Sequence, residues 1–235
     1  MSRRRRSDPQ AERPIQRGPA HRWRGNRVFY VAVEGESTEP DYLTHLNREF
    51  GSDHQFLIHP LYKRNGMTPG RVVARALEQR DEVLAGDDRV QLWALFDRDR
   101  HRDIPQAMRE ARDGGVHVAF SHPSFDLWLL LHFTDTSGQQ GGSNRIVHEK
   151  LRQFAGFETF DSHNDKSVAG RRAQALTGRH TDAVRRASYR WLYSSSVTGS
   201  DQFDSGPSVG ASQIARWVMK WSGAAPCQCH SPGGV

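Results

Sequence analysis

The sequence predicts an α/β fold around a parallel sheet with a helical extension behind it, on three observations. The strand-like runs of the first half are apolar throughout instead of alternating, as expected of strands covered on both faces. Strand and helix signals alternate four times with short connections, the pattern of a three-layer sheet with right-handed crossovers. Beyond residue 144 the patterning is helical and carries no strand signal.

The elements follow in order. Val28 to Val33 is the first strand, and it ends at Glu34-Gly35-Glu36-Ser37-Thr38-Glu39-Pro40. Thr38 as N-cap, with Pro40 in the first turn, predicts a helix over about 39–50. Phe56 to Tyr62 reads as a second, more exposed strand. Thr68-Pro69 opens a helix whose apolar face is Val72, Val73, Ala76, Leu77 and Val83-Leu84. Val90 to Phe96 is the third strand and runs straight into Asp97-Arg98-Asp99. A helix over about 104–112 stops at Gly114-Gly115. Val116 to Phe120 is the fourth strand, and Ser124 caps a short apolar helix from Phe125 to His132. Residues 27–134 therefore form the α/β core, 135–144 a Gly/Gln-rich linker and 145–221 a helical cap. Helices are expected over 146–154, 167–193 and 212–221. Residues 1–26 and 222–235 read as disordered tails.

The formal net charge of +6 is a property of the leading tail. Residues 1–27 hold nine arginines against Asp8 and Glu12, and the remainder is close to neutral. An Arg-rich segment with few apolar residues cannot bury a core. Arg3, Arg4, Arg5 and Arg6 are of the type that contacts phosphate backbones without reading sequence, although a solubilising leader has the same composition. No apolar segment follows the arginines, which argues against a targeting peptide, and the longest apolar run is too short to span a bilayer. The two cysteines, Cys227 and Cys229, make no disulfide framework, and one C-x-C-H lacks the second ligand pair of a structural zinc site. A soluble, cytoplasmic protein is expected.

Ligands of an open parallel sheet bind outside the carboxyl ends of its strands. Glu34 closes the first strand, and Asp97 and Asp99 close the third. Residues two apart on an extended segment point to one side, so the two aspartates can converge. If the first and third strands are neighbours, Glu34 joins them. Carboxylates gathered in this way repel unless a cation neutralises them. All-oxygen ligands without His or Cys favour Mg²⁺ or Mn²⁺ over Zn²⁺. Such an ion can orient an attacking water and stabilise the leaving oxygen of a phosphodiester. Either motif alone is equally a solvated loop or a helix cap; their pairing on one sheet is what points to a site.

A strand followed by E-G-x-x-T-E, and a later strand followed by D-x-D, resembles the Toprim domain of primases, topoisomerases and OLD-type nucleases. Ser121-His122-Pro123-Ser124-Phe125-Asp126-Leu127-Trp128-Leu129-Leu130-Leu131-His132-Phe133 further resembles the S-N-P-x-F-E-x-W-x-x-L-H-F signature of the RloB-like (AbiLii) family. The three motifs occur in order over residues 27–134, and the likeness fades beyond them. His122 stands where the family has Asn, and Asp126, one methylene shorter, where it has Glu. Gly206-Pro207-Ser208-Val209-Gly210 replaces an Asn-Pro-Ser-Thr-like turn.

The resemblance implies a Toprim-like core and a metal-dependent nuclease acting on DNA or RNA, an effector of abortive infection in antiviral defence. It also implies a separately encoded ATPase of AAA or ABC type, since no G-x-x-x-x-G-K-[ST] loop occurs in these residues. On it, Glu34, Asp97 and Asp99 are catalytic metal ligands. Glu39 is a second-site ligand or a helix N-terminal charge, and Asp126 a ligand or an N-terminal charge. Arg100 and His132 are phosphate contacts, His132 having a core role as its alternative. Lysine is scarce, and Lys166 is the candidate that stabilises developing negative charge, with an ordinary surface lysine as its alternative. A non-catalytic nucleic-acid or partner-binding module remains the other reading of the same fold. A homo-oligomer is compatible with all of this.

Overall fold

The computed structural model describes residues 27–51, 56–83, 89–98, 101–121, 123–136 and 144–195, with side chains as far as residue 187. Arg3 to Arg6, Asp99, Arg100, His122, most of the 135–144 linker, the expected helix over 212–221, the 206–210 turn, Cys227 and Cys229 lie outside the described residues.

Four strands, β1 (Arg27–Val33), β2 (Phe56–Leu61), β3 (Val90–Asp97) and β4 (His117–Ser121), form an all-parallel sheet in the order β2-β1-β3-β4. The fold is α/β, as the uninterrupted apolar runs predict. Their absence of alternation has a direct cause. Phe29, Val31, Val33, Trp93 and Leu95 face one apolar cluster, while Ala32, Leu92, Ala94 and Phe96 face another on the opposite side of the sheet.

Helices α2 (Pro69–Glu82) and α3 (Ile104–Asp113) cover the second face through Val72, Val73, Ala76, Ala107 and Ala111. The other face is covered by α1 (Thr38–Leu46), through Tyr42, Leu43 and Leu46. It shares that cluster with α4 (Asp126–Leu131), α5 (Asn144–Leu151), α6 (Arg171–Leu176) and α7 (His180–Ser195). All six residues of α4 are buried, which places this short helix in the middle of the core. Val147, Leu151, Phe157, Phe160, Val168, Leu176 and Ala183 belong to the same cluster as the strands. The helices after residue 144 thus pack into the sheet's own core.

Local chemistry departs from expectation at two helix starts. Ser37 and not Thr38 is the N-cap of α1, and the Thr38 hydroxyl instead donates to the Lys166 carbonyl at 2.9 Å. Phe125 and not Ser124 precedes α4, and the buried Ser124 hydroxyl has no hydrogen-bond partner. At its other end α1 widens into a π-turn, Asn47–Gly51. The Asn47 amide there pairs with both backbone groups of Ile58, donating to its carbonyl at 2.6 Å and accepting from its N–H at 2.8 Å.

The strand order has a functional consequence. From β1 the chain moves outward to β2 and then returns across β1 to β3, so the order reverses between β1 and β3. The crevice at the carboxyl ends of such a pair is where open α/β sheets bind ligands. Val33 pairs with Leu95, which sets Glu34 and Asp97 side by side at that crevice.

Candidate active site

Glu34 follows the last residue of β1. Its Oε2 accepts a hydrogen bond from the Asp97 backbone N–H at 2.9 Å, and His101 Nε2 lies 3.5 Å from its Oε1. Asp97 in turn accepts from the Phe125 N–H through Oδ1 at 3.0 Å. The first and third strands are thereby tied at their carboxyl ends to the start of α4. The sequence argument needed β1 and β3 to be neighbours, and they are. Asp99, its second aspartate, lies outside the described residues.

Glu39 sits in the first turn of α1 and is almost wholly buried. Burial pushes its carboxyl up to about 7, aided by the charges of Asp126 and Glu34, although backbone N–H groups of Glu39 and Gly35 oppose the shift. Gly35 has a steric role here. A Cβ at that position would collide with the Glu39 carboxylate, so the glycine after Glu34 is what lets Glu39 fold back over the strand end. Gly66 closes the crevice from the other side. It turns at φ +74°, and Met67 N–H donates to the Glu34 carbonyl at 2.9 Å.

Asp126 is buried at the start of α4. Its Oδ2 lies 2.6 Å from His148 Nε2 and 3.2 Å from Lys166 Nζ. His148 Nδ1 lies 2.9 Å from Asp161 Oδ2, so both of its ring nitrogens face carboxylates. Burial works against the charge on Lys166, but Asp126, Asp161 and Glu39 outweigh it and carry its pKa upward. Lys166 therefore remains a cation between the acidic residues of two elements.

The Lys166 loop is held from several directions. Thr38 anchors its carbonyl. Asp41 Oδ2 accepts from the Ser167 hydroxyl at 2.6 Å and the Val168 N–H at 2.9 Å. The largely buried Arg172 donates to the Ser167 carbonyl at 2.6 Å and to Asp165 Oδ2 at 3.0 Å. Two residues of the T-E-P-D segment therefore position a lysine more than 120 residues downstream. Sequence reading singled out Lys166 but not Asp41, Arg172, His148 or Asp161; the Asp41 partners lie 126 and 127 residues away, and the contacts of the other three follow no helix or strand period.

His132 departs from the expectation of a phosphate contact. It is fully buried, its Nδ1 donates to the Trp128 carbonyl at 2.9 Å, and its Nε2 faces Tyr42 and His180. A phosphate cannot reach it in this structure.

The donor set at the β1/β3 crevice suits a hard divalent cation. It consists of carboxylates, one of them driven toward its neutral form by burial and, to a lesser degree, by its acidic neighbours, and the buried Ser121 hydroxyl beside Asp97 lacks a partner. The carboxylate atoms do not form a tight ligand triad. Among the described residues, only His45, Glu49 and His180 bring three ligand atoms within 4.8 Å of one another. No described helix is long and apolar enough to cross a membrane.

A family model described as RloB-like protein matches residues 29–202, well over half of the chain. The match runs past the three motifs and takes in the lysine loop, where the sequence likeness was no longer legible. No curated protein and no solved structure matches the chain.

Proposed function

The chain belongs to the RloB-like family, and on that premise we propose that it is a divalent-metal-dependent nuclease of Toprim type that hydrolyses nucleic-acid phosphodiesters. The observation that carries this reading is the meeting of Glu34 and Asp97 at the β1/β3 switch point, with Glu39, Asp126 and Lys166 beside them. Glu34 and Asp97, with Asp99 two residues on, would hold Mg²⁺ or Mn²⁺, and Glu39 and Asp126 are the further carboxylates within its reach. The ion supplies charge neutralisation and open positions for water and a phosphate oxygen.

The chain's own groups have separable tasks. Glu34 fixes the Asp97 backbone and so the direction of that side chain. Glu39, poised near 7, can give up or take a proton at its carboxyl within the physiological range. Lys166 supplies a fixed positive charge where negative charge develops on a pentavalent phosphate. Asp126 and the Asp41 and Arg172 contacts keep its ammonium in place. The Arg-rich leader, Arg100 and the strand ends would receive the backbone of DNA or RNA. In cells the nuclease would act as an abortive-infection effector in antiviral defence, alongside a separately encoded ATPase.

The direct test is a nicking assay on plasmid DNA and on structured RNA with Mg²⁺ or Mn²⁺, with and without the proposed partner ATPase. Wild-type protein is expected to cleave and Asp97→Ala to be inert. Unchanged cleavage by Asp97→Ala removes the site, and no cleavage in any condition leaves the fold as a binding module. A second substitution separates the lysine from a surface residue. Lys166→Met is expected to lower the cleavage rate roughly 100-fold, the scale of losing one preorganised charge at a developing oxyanion. A change of less than about twofold in single-turnover rate would make Lys166 a surface residue.

A further inference from the structure

We propose that His45, Glu49 and His180 form a transition-metal site of zinc type, separate from the acidic crevice, that clamps the end of α1 to the start of α7. His45 Nε2, Glu49 Oε2 and His180 Nε2 are the atoms concerned. Each residue offers a ligand atom within 4.8 Å of the other two. His45 Nε2 lies 3.0 Å and His180 Nε2 2.9 Å from the same carboxylate oxygen, Glu49 Oε2. Tetrahedral coordination at zinc bond lengths spaces such ligands about 3.3 Å apart, so each histidine need move from Glu49 by only a few tenths of an ångström. Two imidazoles and one carboxylate select a zinc-like ion over magnesium and leave one position for water.

The protonation pattern carries the inference. His132 donates from Nδ1 to the Trp128 carbonyl, which leaves its Nε2 a lone-pair acceptor in the neutral ring. His180 Nδ1 lies 3.1 Å from this acceptor. If neutral His180 spent its proton from Nε2 on Glu49, two lone pairs would face each other at that distance. The Tyr42 hydroxyl, 3.4 Å from one nitrogen and 3.2 Å from the other, has a single proton and cannot serve both. A cation on His180 Nε2 removes the conflict. The His180 proton then sits on Nδ1 and donates to His132 Nε2, and a continuous chain runs from the Trp128 carbonyl through both rings to the metal. Metal-bound histidines are oriented by such a hydrogen bond from the other ring nitrogen.

Two further features fit. His45 Nε2 belongs to a residue more than nine-tenths buried and has no hydrogen-bond partner, although it lies 3.0 Å from Glu49 Oε2. Glu49 already has its other oxygen fixed by the Gly178 N–H at 2.8 Å. The π-turn that ends α1 is what carries Glu49 to the start of α7. His45 and Glu49 stand four apart, one in the last turn of α1 and the other in the π-turn that follows it.

The test is titration of the full-length protein with Co²⁺, after metal stripping, followed by visible absorption. About one equivalent is expected to give the intense band of a low-symmetry nitrogen-ligated ion. The band should persist in Asp97→Asn, which alters the acidic crevice, and in the Cys227→Ser/Cys229→Ser double variant, which removes the terminal thiols. It should be lost in His45→Gln, with affinity down roughly 100-fold. Absence of the band in wild type, or its survival in His45→Gln, overturns the proposal and leaves a buried His180–Glu49 ion pair. Should His45→Gln fail to fold, X-ray absorption on the zinc-loaded wild type decides. Two imidazole shells support the site, and a sulfur or all-oxygen shell overturns it.

Discussion

Glu34→Gln is expected to abolish metal-dependent cleavage, lowering the rate roughly a thousandfold or more, while leaving the fold intact. The substitution separates two roles of one side chain. The amide oxygen of Gln can still accept the Asp97 N–H at the distance Glu34 Oε2 does now, so the link between β1 and β3 survives. What is lost is the negative charge. Stabilisation by a bound divalent ion amounts to several kcal/mol of transition-state energy, and about 4 kcal/mol corresponds to a factor near a thousand. The core beneath is unaffected, because Val31, Ala32 and Val33 are fully buried whatever follows them. Single-turnover cleavage across a Mg²⁺ titration, beside thermal melting, checks the outcome. A variant that recovers full rate at high Mg²⁺ would show that Glu34 only tightens the ion. A variant that cleaves normally at low Mg²⁺ would take Glu34 out of the site.

Glu34 and Asp97 were legible because they terminate apolar runs. A strand buried on both faces announces itself by composition alone, and the residue at its carboxyl end is then placed by topology. The same reasoning could not reach the lysine loop. Thr38 looks like a helix cap and Asp41 like a helix N-terminal charge, and both descriptions are locally sound. Their actual partners, the Lys166 carbonyl and the Ser167–Val168 backbone, lie 126 to 128 residues away. Hydrogen bonds of that range have no period and no local signature.

Asp126 shows the limit from the other side. At the start of a helix it reads as a favourable N-terminal charge, yet it is buried against Lys166 and His148, which only the packing of α5 and the lysine loop brings near. For His132 the sequence left a core role and a phosphate contact both open, for a related reason. A histidine at the end of an apolar helix carries no mark of which way it faces, and here burial of α4 on all sides decides it. The helices after residue 144 showed no sheet signal and so read as a cap. Their apolar residues share one cluster with α1 and the strands beneath it.

Glu39→Gln is expected to stabilise the metal-free protein above pH 7 and to have little effect near pH 4. The sign follows from linkage. The Glu39 carboxyl is raised from 4.5 to about 7 in the folded chain, so the folded state holds this proton more tightly than the unfolded one. Below about 4 both states are protonated and the group contributes nothing. Between 4.5 and 7 the unfolded chain ionises first, and stability falls as pH rises. Above 7 the full penalty is present. A shift of this size corresponds to ~3 kcal/mol. For a chain of this length it is worth about 5–10 °C in Tm.

Glutamine removes the ionisation and keeps an oxygen for the Gly35 and Glu39 N–H groups. A divalent ion acts in the opposite direction to the proton. It favours the ionised carboxyl, so added Mg²⁺ should raise the wild-type Tm more at pH 8 than at pH 6, and that pH-dependent increment should vanish in Glu39→Gln. Melting curves of both proteins across this range, with and without Mg²⁺, measure all of it. Equal Tm values for the metal-free pair at pH 8 would mean that Glu39 is not held near neutrality by burial and its acidic neighbours. An Mg²⁺ increment that survives the substitution would place the ion's coupling on Glu34 and Asp97 alone.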